Sequence, residues 1–244
     1  MKFYTISLFP DLIQSYVQES ILGRALKKKI FSVKNFLLRD FSQDKHRRTD
    51  DSPYGGGPGM VLCLDPILNC FEKVLQQIFK DKVEPKKILV LNFLPSAEKL
   101  TNLLAKNFAR KFTHLILICG RYEGIDFRLN NILKDILKEK QGVLKEKNIK
   151  FNFQIKNISI GDYILTGGEV AANVLIDSIS RQIKGVLNKS ESLEENRVSS
   201  YRVYTRPAVY EKKIGRKMKK YFVPKILLSG HQAEIKKWKL AKAA

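Results

Sequence analysis

Cysteine is scarce in this 244-residue chain: Cys63, Cys70 and Cys119 are odd in number and show no C-x-x-C spacing. Neither a disulfide framework nor a zinc knuckle is indicated, and reduced structural thiols are the expectation. The three histidines, His46, His114 and His231, are dispersed without ligand spacing, so no tightly held metal site is expected. Long apolar runs are missing too. Stretches such as residues 115–119 fall far short of the roughly 20 residues a spanning helix needs, so a membrane is not an expected partner. Residues 1–10 lack the charged, apolar and small-residue cleavage regions of a signal peptide, and a cytoplasmic location is expected. Acidic residues are outnumbered 24 to 45 by lysine and arginine, a formal charge of +21. An imbalance of that size points to a polyanion, with phosphate backbone ahead of lipid. A lysine-rich surface that binds nothing is the alternative for the total charge.

The length allows one substantial core with a small appendage. Residues 3–8 alternate as a strand, and 10–29 carry apolar positions at helical spacing. A strand is expected at 30–38, a polar glycine-rich stretch at 40–59 and a helix at 65–79. Buried strands follow at 87–91 and 114–119, with a helix at 98–108 between them. This alternation predicts an α/β domain with a largely parallel sheet. The Lys- and Asn-rich stretch at about 130–157 breaks the rhythm and reads as an insertion. Beyond it come a short strand at 158–160 and a helix at 169–183. The expected organisation is a domain over 1–183, a mobile linker over 184–207 and a short basic region over 208–244, ending in a helix at 232–243.

Three segments carry chemistry. H-R-R-T-D-D-S-P-Y-G-G-G-P-G-M at 46–60 holds four glycines and two prolines behind paired charges. Glycine lets backbone approach a planar ligand closely, although a flexible surface turn is the plain alternative. C-G-R-Y-E-G-I-D at 119–126 follows a buried strand and fits a cofactor rim or a structural turn equally well. S-I-G-D-Y-I-L-T-G-G-E at 159–169 leads straight into a helix, and its glycine pair exposes backbone groups that can read a nucleoside. It has neither G-x-G-x-x-G nor a P-loop lysine, which disfavours dinucleotides and nucleoside triphosphates.

In this order the three segments resemble bacterial tRNA (guanine-N1)-methyltransferases, the TrmD type within the SPOUT superfamily. The likeness extends to I-S-L-F-P at 6–10, G-R-A at 23–25, L-I-D-S at 175–178, G-V-L at 185–187, Y-T-R-P at 204–207 and L-L-S-G at 227–230. It implies a SPOUT-type parallel sheet with a deep trefoil knot, working as a homodimer with active sites between subunits. It further implies S-adenosyl-L-methionine held by Gly120, Ile160, Gly161, Asp162, Tyr163, Ile164 and Leu165, with Gly167 and Gly168 beside them. Asp50, Pro58 and Gly59 match the part that receives the target guanosine at tRNA position 37, 3′ of the anticodon. A loosely bound Mg²⁺ belongs to the same implication, though no ligand spacing marks a site for it.

Guanine N1 carries a proton, so methylation there calls for a base and for a cation to stabilise negative charge on O6. The resemblance assigns the cation to Arg181. The family's catalytic Asp falls, counting without gaps from G-V-L, on Asn196, with Glu194 and Glu195 adjacent. An amide accepts a hydrogen bond but does not take a proton at neutral pH. A small gap places either carboxylate at that position; Glu195 is the preferred substitute base, and plain solvation is the alternative for both glutamates. Two further departures are Leu94-Pro95-Ser96-Ala97, where the family carries S-P-Q-G, and a C-terminal region that reads as shortened, for which the basic tail compensates through phosphate contacts. Two other readings stand beside the enzyme: an impaired homologue that binds tRNA or cofactor without turnover, and an RNA methyltransferase with a shifted substrate.

Overall fold

A computed structural model describes residues 1–80, 85–146, 149–187 and 202–241. The chain divides into two units, residues 1–187 and 188–244. The first is built on five strands: β1 (Lys2–Ser7), β2 (Ser32–Leu37), β5 (Lys86–Lys99), β6 (His114–Ile118) and β7 (Phe151–Ser159). They pair in the order β2-β1-β6-β5-β7, and every pairing is parallel, as the alternation of strand and helix predicts. The short β3 (Asp50–Asp51) and β4 (Val61–Leu62) pair separately.

Strand β6 reads H-L-I-L-I with every residue buried, the pattern of a parallel strand covered on both faces. Its alternate side chains divide between two cores. Leu115 and Leu117 join Phe3, Leu89 and Leu91 under α1 (Pro10–Val17), α4 (Asn102–Lys111) and α6 (Gly168–Ser180). Ile116 and Ile118 join Ile6, Ile88 and Val90 under α3 (Leu64–Lys80) and α5 (Leu129–Glu146). Helix α3 covers its side with Ile67, Cys70, Phe71, Val74, Leu75 and Ile78, an apolar stripe at helical spacing. The product is a three-layer α/β/α unit.

The segment at 130–157 is not an insertion. It supplies most of α5 and β7, and β7 pairs along β5 from Lys86↔Phe151 onward. As an edge strand β7 keeps polar residues such as Asn152 and Gln154, which dilute the apolar signal. Helix α5 needs only Leu129, Leu133 and Leu137 on its buried face. The expected helix at 10–29 is two helices, α1 and α2 (Ser20–Lys27), separated where Ser20 takes a left-handed φ of 51°. Residues 98 and 99 belong to β5, and α4 begins only after Thr101, whose hydroxyl caps the Leu104 amide at 3.2 Å.

The linker was expected to begin at 184, but Val186 is buried in the core beneath α6, so the first unit runs through Leu187. Most of the expected linker, with Glu194, Glu195 and Asn196, lies outside the described residues. The second unit holds an antiparallel hairpin, β8 (Val209–Ile214) and β9 (Lys217–Phe222), then α7 (Lys225–Leu228) and α8 (Gln232–Ala241). The terminal helix was anticipated; the hairpin was not. Among the described residues no helix is long and apolar enough to cross a membrane.

Candidate active site

A cavity of about 300 Å³ opens at the carboxyl ends of β5, β6 and β7, where parallel α/β sheets place their ligands. Each strand sends one segment into it. After Phe93 the pairing of β5 with β7 slips and resumes at Glu98, so residues 94–97 bulge out of the ladder. Pro95, which has no N–H to donate, sits in that bulge. Phe93, Leu94 and Pro95 form one wall. Residues 120–124 after β6 form the second, and residues 158–168 after β7 the third.

The third wall is fastened from below. The Gly168 amide donates to the Gly120 carbonyl at 2.8 Å. A Cβ on Gly168 would stand 2.8 Å from the Cys119 Cα, so only glycine permits this approach. Next to it Glu169, 1% exposed, accepts from Arg121 Nε at 2.9 Å and from the Ser7 hydroxyl at 2.7 Å. Arg121 also donates to the Thr166 carbonyl at 3.2 Å and lies over the Phe9 ring, 4.5 Å from its centroid. A buried carboxylate is tolerable only with such partners. One ion pair thus ties the end of β1, the loop after β6 and the start of α6 into a rigid floor. Burial pushes the neighbouring Cys119 thiol well above its ordinary range, which keeps it protonated.

Of the residues anticipated for the cofactor, Gly120, Ile160, Gly161, Tyr163, Ile164, Leu165, Gly167 and Gly168 all line the cavity. Asp162 does not. Its side chain turns to solvent and pairs with Lys99 at the rim, an exposed contact of small energetic value. The substrate-side residues lie in β3, which holds Asp50, and in the glycine-rich stretch that follows it, which holds Pro58 and Gly59. Asp50 pairs with Leu62, and the Leu62 amide donates to the Gly124 carbonyl at 3.0 Å while the Glu123 amide donates to Met60. A Cβ on Gly59 would come within 2.5 Å of Glu123 Oε1. The glycine-rich loop is therefore stitched to the cavity through Glu123. Pro58 is exposed beside it.

Arg181 is not brought to this cavity. It caps the far end of α6, its amide donating to the Asp177 carbonyl at 3.1 Å. Thirteen residues of helix separate it from Gly168, about 20 Å at 1.5 Å per residue. Arg121, Glu123, Glu169 and Phe93 were not singled out in advance. Arg121 and Glu123 sit inside the G-R-Y-E-G motif, but a pair separated by 48 positions, as Arg121 and Glu169 are, leaves no local sequence signal. Among the described residues no group of three or more His, Cys, Asp or Glu gathers to hold a metal.

The cavity suits S-adenosyl-L-methionine. Apolar walls from Phe93, Leu94, Pro95 and Ala171 flank backbone amides and carbonyls able to read an adenine edge, and the Glu123 carboxylate complements a sulfonium cation. Fold and site define a three-layer α/β domain with a cavity of nucleoside size at its sheet ends. The sequence matches, over residues 1–244, the family described as tRNA (Guanine-1)-methyltransferase TrmD. Its relatives include the tRNA (guanine-N(1)-)-methyltransferase of Lachnospira eligens, 40% identical over 248 aligned positions that cover all of this chain and 90% of the relative. The enzyme of the same name from Borreliella burgdorferi is 41% identical over 248 positions, covering all of this chain and 88% of the relative. That from Mycoplasma mycoides is 37% identical over 243, covering 98% and 85%. The chain belongs to the tRNA (guanine-1)-methyltransferase family.

Proposed function

We propose that this protein methylates N1 of the guanosine at position 37 of tRNA, 3′ of the anticodon, using S-adenosyl-L-methionine, in the cytoplasm and as a homodimer with active sites between subunits. The observation that carries the shared-site reading is the placement of Arg181 about 15 Å along α6 from Ala171, the last residue of that helix to line the cavity, beyond the reach of an arginine side chain. A second copy supplies it. Phe9, Leu12, Tyr16 and Ile21 of the α1–α2 region and Val170 and Val174 of α6 are exposed, an apolar surface suited to that copy. The close return of residues 167–168 onto Gly120 supports threading of the chain as a deep trefoil knot.

The roles follow from the chemistry. Gly120, Ile160, Gly161 and residues 163–168 hold the cofactor, which supplies an electrophilic methyl group. Asp50, Pro58 and Gly59 receive the guanine beside Glu123. The guanidinium of Arg181 of the partner subunit stabilises negative charge on O6. Glu195 accepts the N1 proton, and Asn196 hydrogen-bonds the base without deprotonating it.

Primer-extension arrest at the target guanosine tests the reading. Wild-type protein with S-adenosyl-L-methionine produces the arrest, Glu195→Gln abolishes it, and Arg181→Ala lowers kcat by at least 100-fold, a typical loss for one transition-state donor. Asn196 motivates a second reading, a homologue that binds without turnover. An inactive wild type that binds cofactor and is rescued by Asn196→Asp would establish that reading and sink the first.

A further inference from the structure

We infer that a second cavity, between the start of α5 and the outer edge of β7, is a binding site for an adenine mononucleotide, with amide side chains reading the base and Lys134 taking the phosphate. The site is separate from the cofactor cavity and goes beyond the methyl transfer proposed above.

The cavity measures about 530 Å³, room enough for a small organic ligand. It exists because β7 is the last strand of the sheet and has no neighbour on its outer side. Two periodicities set its walls. Asn130, Asn131 and Lys134 are spaced three and four apart at the start of α5 and so lie side by side. Phe153 and Asn157 are four apart on β7 and share one face, with the exposed Gln154 beside them.

Behind this lining runs a chain of three amides that folding alone does not call for. Asn92 and Asn157 stand opposite each other in the β5–β7 register. Asn130 bridges them, accepting from Asn92 Nδ2 and donating to Asn157 Oδ1 at 3.1 Å. Asn92 continues the face of β5 that buries Ile88 and Val90, and its own Oδ1 is buried with no partner. Turning all three amides over reverses the chain and only exchanges an orphaned carbonyl for an orphaned N–H. A leucine at 92 would extend the apolar stripe without that deficit. What the asparagine achieves is to orient Asn130 and, through it, Asn157 at the cavity. A buried polar atom kept at a deficit calls for a reason outside packing, and a ligand read by those amides supplies one.

The lining selects the ligand. The amides of Asn131 and Gln154 and the Nδ2 of Asn157 have no hydrogen-bond partner among the described residues. Each amide sets a donor beside an acceptor, the pattern that matches N6 and N7 of adenine, and the Phe153 ring offers a face for stacking. Of the two lysines at the cavity, Lys156 pairs with Glu98 at 3.2 Å, whereas Lys134 makes no ion pair among the described residues. One anionic group is thereby provided for. A polyanion would need a cationic track and would leave the amides idle.

Calorimetric titration of the full-length protein with adenosine 5′-monophosphate tests this, with S-adenosyl-L-homocysteine present at saturation to fill the first cavity. The nucleotide binds, at least about ten-fold more tightly than cytidine 5′-monophosphate. Lys134→Gln weakens the nucleotide about ten-fold and leaves adenosine within about two-fold, since only the phosphate contact is lost. Asn131→Leu weakens both ligands about ten-fold. Asn92→Leu, a change at a positioning residue, weakens both roughly three-fold while the melting temperature holds or rises; a merely structural asparagine would give a lower melting temperature and unchanged affinity. Every variant retains wild-type affinity for S-adenosyl-L-homocysteine, which separates a lost site from lost folding. No nucleotide binding to the saturated protein, equal affinity for the two nucleotides, or equal losses of adenosine and its monophosphate in Lys134→Gln overturns the inference. A protein that binds the nucleotide with this pattern but does not bind S-adenosyl-L-homocysteine overturns the functional reading and leaves the second site standing.

Discussion

The two glycine-rich loops of the catalytic unit use glycine for opposite reasons. At Gly167 and Gly168 there is no room: a Cβ would strike Arg121 in the first case and the Cys119 backbone in the second. At Gly55, Gly56 and Gly57 there is nothing but room: no atom lies within 4 Å of where a Cβ would be, yet all three backbones are left-handed, and Tyr54 beside them is fully exposed. Close approach built the first loop in advance, on a floor of buried charge. Backbone freedom leaves the second to be shaped by what it binds. On the proposed reading, a cofactor pocket that exists before its ligand and a substrate loop completed by its ligand are the two ends of pre-organisation.

Breaking the floor has the largest expected effect. Arg121→Ala leaves Glu169 buried with Ser7 as its remaining partner, which costs about 3 kcal/mol. The melting temperature falls by roughly 6–12 °C, and calorimetry detects no cofactor binding. A loss under about 1 kcal/mol shows that the ion pair is not what holds the loop. Gly168→Ala comes next, at about 1–3 kcal/mol from overpacking against Cys119, with cofactor affinity down at least ten-fold by titration. Gly56→Ala is smaller and different in kind. Left-handed backbone costs a non-glycine residue roughly 1 kcal/mol, but the site is open, so cofactor affinity stays at the wild-type value while kcat/KM for tRNA falls. Equal effects of the last two variants on cofactor binding would erase the contrast between the loops.

The smallest effect is one of pH. Hydrogen bonding from the Arg128 side chain and amide holds the Asp126 carboxyl below the ordinary aspartate range. A depressed carboxyl stabilises the fold at pH values above its unfolded pKa of about 4, and that contribution fades as pH falls through the depressed value. Thermal melts between pH 6 and pH 3 therefore give a slightly flatter acid limb for Asp126→Asn than for wild type. Parallel curves would show that the Asp126–Arg128 pair contributes nothing to stability.

Both loops were visible in the sequence, because glycine clusters and long motifs survive without any knowledge of partners. So were β1 and β6, whose residues are almost all buried, and α3 and α6, each with a buried stripe at helical spacing. What was hidden depends on contacts distant in sequence. Strand β7 reads as Lys- and Asn-rich because it has one strand neighbour, and α5 reads weakly because three leucines suffice for its buried face. The split between α1 and α2 turns on the backbone of a single serine. The Arg121–Glu169 pair is written in two motifs that individually look complete. Asp162 was grouped with the cofactor residues by its place in a motif, while its side chain faces solvent and Lys99.

The length of α6 carries a genetic consequence. In the proposed dimer with shared sites, where the cavity and the arginine that serves it sit at opposite ends of a 13-residue helix, a mutation at one end disables the site of its own chain and a mutation at the other disables the neighbour's. Two alleles, each dead alone, then rescue one another. Co-expressing Gly168→Ala with Arg181→Ala at equal levels makes half of the dimers mixed, each with one intact site, and about a quarter of wild-type activity returns.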